Sequence, residues 1–221
     1  MAVVLDAFST RVLCMKLTQL ENKWQGQTVY VLGSGGSLNH LDPSFFDNKN
    51  CVAVNFVGRE FGLKHFVTFT HYNDDAMTMA LQFPDNKVVV REWHVGHQVT
   101  AEAPNLIVAP SNNVPAPGSS FDPFKHEDLS LLFGSSSIHG AMHLAAYMGA
   151  KDIVLVGADC GTLDGADRVA GYPAGDTPWE LYERHLRNVK EWLKVNYNCN
   201  VYSLNPFVNF NLEGHIFEGV K

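Results

Sequence analysis

Phe8, Val12, Leu13, Leu17 and Leu20 recur at three- and four-residue steps, with Arg11, Lys16 and Gln19 between them, which predicts a helix over residues 7–23. Beyond it the pattern changes to short runs of branched residues: 28–32 (TVYVL), 51–55 (CVAVN), 65–70 (HFVTFT), 87–91 (KVVVR), 105–109 (NLIVA), 153–156 (IVLV) and 200–204 (NVYSL). Several are apolar throughout rather than alternating, as strands covered on both faces are. Helical patterns fall between them at about 57–63, 74–82, 137–149 and 178–196. Strands alternating with helices predict an α/β fold, a Rossmann-like, mostly parallel sheet with helices on both faces. At 221 residues the chain suits a single domain. In such a sheet ligands bind outside the carboxyl ends of the strands.

The last helix has the clearest start. Thr177, Pro178, Trp179 and Glu180 supply an N-cap, a proline at the first helical position and a capping-box glutamate. Its apolar stripe is Trp179, Tyr182, Leu186, Val189 and Leu193, with His185 and Trp192 on the flank. Residues 110–134 are rich in Pro, Ser, Asn and Gly, with one short helical pattern at 126–132, and residues 160–177 hold four glycines. Loops of that length inside a domain suggest lids or binding loops.

Composition narrows the function. The net charge of −7 and the thin spread of Lys and Arg disfavour a nucleic-acid partner, which needs a basic face. Arg184, Arg187, Lys190 and Lys194 cluster only at helical spacing, as on a solvated face. No apolar run is long enough for a membrane span. Residues 1–8 carry Asp6 and no Lys or Arg, unlike a secretory signal. Cys14, Cys51, Cys160 and Cys199 stand far apart with no CxxC pair and read as small hydrophobes in a reducing compartment, so a cytoplasmic location is expected.

The sharpest local signal follows the first strand: Gly33, Ser34, Gly35, Gly36 and Ser37, then Leu38. Glycines there let backbone N–H groups approach an anion, though a plain tight turn needs them equally. The dinucleotide fingerprint fails at Leu38, and no Gly-Lys-Ser/Thr of a Walker loop is present. A second candidate is Ser135, Ser136 and Ser137, placed between Gly134 and the helical run 141–148. Helix N-termini attract anions through unpaired amides and the helix dipole, and a serine there also serves as a simple cap. Two such turns at carboxyl strand ends suit a nucleotide or diphosphate.

Further candidates sit at other strand ends. Asp159 follows the sixth run and Asp164 lies five residues on; either can ligate Mg²⁺ beside phosphates, hydrogen-bond a sugar, or shape a turn. Asn55 and Thr70 are neutral readers of a base or ribose at the ends of the second and third runs. His139 and His143 share a helix face, but Gly140 stands where a zincin glutamate belongs, so a metal is not expected there. For proton transfer His185 is the first candidate and His71 its competitor.

Residues 29–38 (VYVLGSGGSL), 51–55, 65–70 and above all 134–159 (GSSSIHGAMHLAAYMGAKDIVLVGAD) resemble a superfamily of nucleotide-dependent transferases. It includes bacterial CMP-sialic-acid sialyltransferases, motility accessory factors linked to flagellin glycosylation, and MptE-like 6-hydroxymethylpterin diphosphokinases. The resemblance spans roughly residues 28–205. It implies that Gly33, Gly35, Gly36 and Ser37 form a nucleotide-phosphate loop, that Asn55 contacts the nucleotide, and that Ser135–Ser137 match the Ser/Thr-Gly loop before the central helix. Asn205 and Pro206 look like the family's Pro-Asn-Ser element in altered order. Two features depart from the sialyltransferase pattern. The two tyrosines expected shortly after Asp159 are missing from 160–169, and the family's histidine falls where Leu181 stands.

The expected activity is sugar transfer from a CMP-activated donor, with His185 as base, Asp159 in a catalytic role, and no cofactor required. The alternative that the resemblance implies is diphosphate transfer from ATP to a pterin-like alcohol, with Asp159 and Asp164 holding Mg²⁺; a nucleotide-binding module without turnover is a third reading. The partners implied are a nucleotide or nucleotide-sugar and a small-molecule or glycan acceptor, with self-association left open.

Overall fold

The computed structural model of the chain describes residues 15–91, 103–109, 136–172 and 178–204. The short branched runs become strands: β1 (Thr28–Leu32), β2 (Asn50–Val54), β3 (Val67–Thr70), β4 (Lys87–Arg91), β5 (Leu106–Ala109), β6 (Asp152–Val156) and β7 (Asn200–Ser203). They join in one sheet of order β5-β4-β3-β2-β1-β6-β7, and every pairing among the described residues is parallel. Every residue of β3 is buried, Thr68 and Thr70 included, as a central parallel strand requires.

Four α-helices connect and cover the strands in the described residues: α1 (Val57–Phe61), α2 (Asn73–Gln82), α3 (Ser137–Tyr147) and α4 (Trp179–Tyr197). Val88 and Val90 of β4 pack with Ala76, Met79 and Ala80 of α2, whereas Val89 between them belongs to the cluster that contains α3. Successive strand residues point to opposite faces, so α2 and α3 lie on opposite sides of the sheet. All eleven residues of α3 are buried. The helix is sandwiched between the sheet and α4, which closes over it with Leu186, Val189 and Leu193. Gly140 is required by that packing, because a Cβ there would run into the Phe69 ring. No helix in the described residues is long and apolar enough to cross a membrane.

Chain order creates the crevice. From β1 the strands step outward through β2 to β5, and after α3 the chain returns to place β6 on the other side of β1. The connections therefore diverge above the carboxyl ends of β1 and β6, where open α/β sheets take ligands.

The structure departs from the sequence expectation at two helix starts. Residues 7–14 of the expected helix over 7–23 lie outside the described residues. Its remainder forms a single 3₁₀ turn, Leu17–Leu20, after Met15 has bridged to Ile107 beside β5. Tertiary hydrogen bonds hold the chain that follows: the N–H groups of Asn22, Trp24 and Gly26 donate to the carbonyls of Tyr147, Met148 and Gly149 at the end of α3. Of these, the Asn22 donor lies within 7–23, and a continuing helix would have used it itself. Helix α4 begins at Trp179, with Pro178 in the cap position and no side-chain cap; Thr177 lies outside the described residues. So do 110–134 with its helical pattern at 126–132, residues 173–177 of the second loop, Cys14, Ser135 and Asn205.

Candidate functional site

A cavity of about 690 Å³ opens at the divergence of β1 and β6. Both turns singled out in the sequence contribute to its wall: Gly33, Ser34 and Gly35 from the first, Ser136 and Ser137 from the second. Asn55, His71 and Asp159 line it as well. Gly36, Ser37, Thr70, Asp164 and His185 are not part of that wall.

The glycine turn is not an open set of amides. Gly33 donates its N–H to the Val156 carbonyl at 2.8 Å and Gly35 to that of Gly157 at 2.7 Å. The Ser37 amide and hydroxyl both donate to the Asp159 carboxylate, each at 2.6 Å. A Cβ on Gly33 would stand 2.5 Å from the Gly157 carbonyl oxygen, and one on Gly35 would stand 2.5 Å from Asp159 Oδ2. One on Gly36 would meet the Ala166 carbonyl. The glycines thus permit β1 and β6 to close tightly at their ends, and the anion seated beside the turn is the protein's own carboxylate. Burial pushes the Asp159 pKa up against the lowering effect of the Ser37 bonds.

Asp159 and Asp164 also take different partners. Asp164 lies on an exposed turn with φ of 50° and pairs with His40 at 3.3 Å, while Asp159 is 2% exposed and committed to Ser37. Among the described residues no group of three or more His, Cys, Asp or Glu is arranged to hold a metal.

The second turn is organised differently. Its Ser136 amide donates to His139 Nδ1 at 3.3 Å. The amides of Ser137 and Ile138, in the first turn of α3, have no intrahelical acceptor. Ser137 and Ile138 both line the cavity. Asn55 joins this turn to the sheet. Its backbone is left-handed, with φ of 46°, and its N–H donates to the Phe69 carbonyl at 3.0 Å. Its Oδ1 accepts from Thr70 Oγ1 at 3.0 Å and Ser137 Oγ at 3.3 Å, and its Nδ2 donates to the Tyr172 hydroxyl at 3.3 Å. Asparagine tolerates the left-handed region, which is why the chain can turn into the cavity at this residue. Thr70 is buried behind it and braces it.

The histidines divide into wall and interior. His71 reaches the wall, edge-on to Phe69 at 5.4 Å between ring centroids. His185 lies behind it, half-buried, its ring 5.7 Å from that of His139; burial and then Arg184 lower its pKa. Burial, reinforced by His185, holds His139 down at about 3. His143 is held at about 3 by burial alone, and it shares a 2.7 Å hydrogen bond with the Tyr197 hydroxyl. Both are neutral and structural at physiological pH.

Sequence reading passed over several wall residues. Tyr172 and Tyr182 line the cavity, and burial raises both pKa values, so each keeps its phenolic proton. Tyr182 belongs to the α4 stripe that reads as core, but the first turn of α4 overhangs the carboxyl ends of the strands. Arg168 also lines the cavity. Its signal was present, as the sole Lys or Arg in the glycine-rich stretch 160–177. Cys160 is in the wall too, with its thiol pushed up to about 12 chiefly by burial, so it is no nucleophile at neutral pH. Burial likewise pushes the Cys51 and Cys199 thiols to about 12, in keeping with their reading as small hydrophobes.

No model of a known protein family matches the chain, and no curated protein matches it in sequence. Among solved structures, the chain is similar to the sialyltransferase CstII from Campylobacter jejuni in complex with a substrate analogue, cytidine-5′-monophosphate. The TM-score is 0.52 at 15% identity, over 89% of this chain and 90% of that one. The monofunctional α-2,3-sialyltransferase Cst-I from the same organism gives a TM-score of 0.51 at 12% identity, over 89% and 85%. The MAf glycosyltransferase from Magnetospirillum magneticum AMB-1 gives a TM-score of 0.58 at 12% identity, over 90% of this chain and 36% of that one. The chain therefore spans about a third of the MAf enzyme. What it shares with these proteins is the α/β fold, which in this chain is a seven-stranded parallel sheet with helices on both faces.

Proposed function

We propose that the protein is a nucleotide-dependent glycosyltransferase that takes a CMP-activated sugar. The observation that carries this reading is the convergence of the glycine turn and the α3 N-terminus on one cavity at the divergence of β1 and β6. The nucleotide phosphate sits at the first turn of α3, where the Ser137 and Ile138 amides and the helix dipole stabilise negative charge. In the transfer step the acceptor hydroxyl oxygen bonds to the anomeric carbon as the bond from that carbon to the phosphate oxygen breaks. The acceptor proton passes to a base, and CMP departs. His71 takes the base role, since it lines the cavity and His185 does not. The protonated hydroxyls of Tyr172 and Tyr182 supply donors to the leaving phosphate, standing in for the tyrosines absent from 160–169. This chemistry requires no metal.

Solved structures similar in fold, one of them in complex with cytidine-5′-monophosphate, support the reading at the level of fold. For diphosphate transfer from ATP, Asp159 and Asp164 would have to exchange their partners, Ser37 and His40, for Mg²⁺. Calorimetric titration with CMP, UMP, AMP and ATP, with and without Mg²⁺, tests the proposal. CMP is expected to bind without metal, and CMP is expected to be released from a CMP-activated sugar on incubation. Binding confined to ATP with Mg²⁺ would overturn the reading. CMP binding without any turnover would reduce the protein to a nucleotide-binding module.

A further inference from the structure

We infer that Arg168 receives the negative charge of the bound nucleotide, contacting its phosphate in place of the glycine-turn amides of Gly33, Gly35 and Ser37, which donate within the protein. The inference rests on the reading that the cavity takes a nucleotide, and it assigns the charge-recognising residue within it.

A local cation is needed because the chain carries a net charge of −7 and the wall itself includes Glu60, Asp75, Asp159 and Asp167. Among the described residues, the Lys and Arg side chains of the wall are Arg59 and Arg168. Arg59 is engaged by its neighbour Glu60, through Nε at 2.8 Å and a closer contact at Nη2, and its side chain is 42% exposed. Arg168 is only 18% exposed, so solvent and salt screen it less. It pairs with Asp167, at 3.9 Å from Nε.

Position singles out Arg168 further. Its Nη1 donates to Ser34 Oγ in the glycine turn at 3.2 Å. Its guanidinium carbon lies 6.0 Å from the centroid of the Tyr172 ring, whose hydroxyl accepts from Asn55. The main chain beneath is pinned: Val169 N–H donates to the Ser34 carbonyl at 2.8 Å, and the Arg168 carbonyl accepts from Asn39 Nδ2 at 3.1 Å. A planar guanidinium fixed in this way offers forked donors to phosphate oxygens with little left to order on binding.

The test compares CMP with its uncharged counterpart cytidine, by calorimetry, on the wild-type chain and on Arg168→Lys, Arg168→Gln, Arg168→Ala and Arg59→Gln. Arg168→Gln and Arg168→Ala are expected to lose about tenfold or more in CMP affinity, as for a charge-assisted contact, with cytidine affinity unchanged. Arg168→Lys keeps the charge without the fork and falls between, and Arg59→Gln leaves the CMP-to-cytidine ratio near the wild-type value. Circular dichroism melts confirm that each variant is folded; if Arg168→Ala is not, the Lys and Gln variants carry the test. An unchanged CMP-to-cytidine ratio in Arg168→Gln overturns the assignment while leaving the nucleotide reading intact. Absence of binding of any nucleotide by the wild-type chain overturns both.

Discussion

The two bends at the rim of the sheet are built from similar residues and do opposite things. At the glycine turn after β1, the amides of Gly33, Gly35 and Ser37 all donate inward, to Val156, Gly157 and Asp159. At the start of α3, the Ser136 amide turns inward to His139, while Ser137 and Ile138 present the first turn to the cavity. Glycine marks a place where something must approach the backbone closely, and here the approaching group is largely the protein itself. A helix N-terminus differs because its first amides have no intrahelical acceptor, whatever the sequence around it.

The largest expected effect breaks the first bend. Gly33→Ala sets a methyl 2.5 Å from the Gly157 carbonyl oxygen, which the backbone cannot yield without opening β1 from β6. A loss of about 3 kcal/mol in urea unfolding is expected. A loss below about 1 kcal/mol would mean the turn is looser than described and its amides are available to a ligand.

Next comes the acid limb, set by the histidines around the second bend. His139 and His143 are held near 3, below the ordinary value of about 6.5, so the unfolded chain binds more protons below that pH. Their stabilisation is complete above pH 6.5 and is lost as the pH falls toward 3. For His143 the expected change between pH 7.5 and 5 is about 2 kcal/mol. His143→Phe should flatten the dependence of the unfolding midpoint on pH by that amount, and an unchanged slope would show that His143 is protonated in the fold.

Asp159 carries the opposite sign. Its folded pKa is raised by burial, so its charged form costs stability at neutral pH and that cost is relieved as the pH falls through the raised value. Asp159→Asn removes the charge-assisted bonds from Ser37, at a net cost of about 1 kcal/mol at pH 7.5. The gap between wild type and variant should widen toward pH 4.5, since the histidine contribution cancels in the difference. A gap that narrows would show that the Ser37 bonds outweigh burial.

The finest test exchanges one serine at each bend. Ser37→Ala is expected to cost about 1 kcal/mol of stability while CMP affinity holds, because Ser37 Oγ serves Asp159. Ser137→Ala removes only a 3.3 Å bond to Asn55 and should cost less stability, yet lower CMP affinity severalfold. If the two variants behave alike, the distinction between the bends fails.

Much of the scaffold was legible because its signals are local. Runs such as VYVL and IVLV have no polar position to leave at a surface, and they became the interior strands β1 and β6. Asn55 and Ser137 stood out as polar residues at element ends, and they meet through a hydrogen bond. Within 15–23 the helical spacing fails because it says nothing about who else will use an amide, and the end of α3 claims that of Asn22. Tyr182 was hidden by burial of a different kind: on a helix stripe, a residue facing a cavity has the same spacing as one facing a core. His185 and Asp159 each carried suitable chemistry, but direction decides its use, and neither a His ring against His139 nor a carboxylate against Ser37 can be read from a position in the chain.

By itself, then, the order of apolar and polar residues determined the parallel sheet, the helices that cover it and the rim at which chemistry gathers, because periodicity and glycine placement act over a few residues. Only the tertiary structure decided which donors on that rim face a guest. Hydrogen bonds such as those from Ser37 to Asp159 join residues 122 positions apart, and their geometry exists only once β1 and β6 lie side by side.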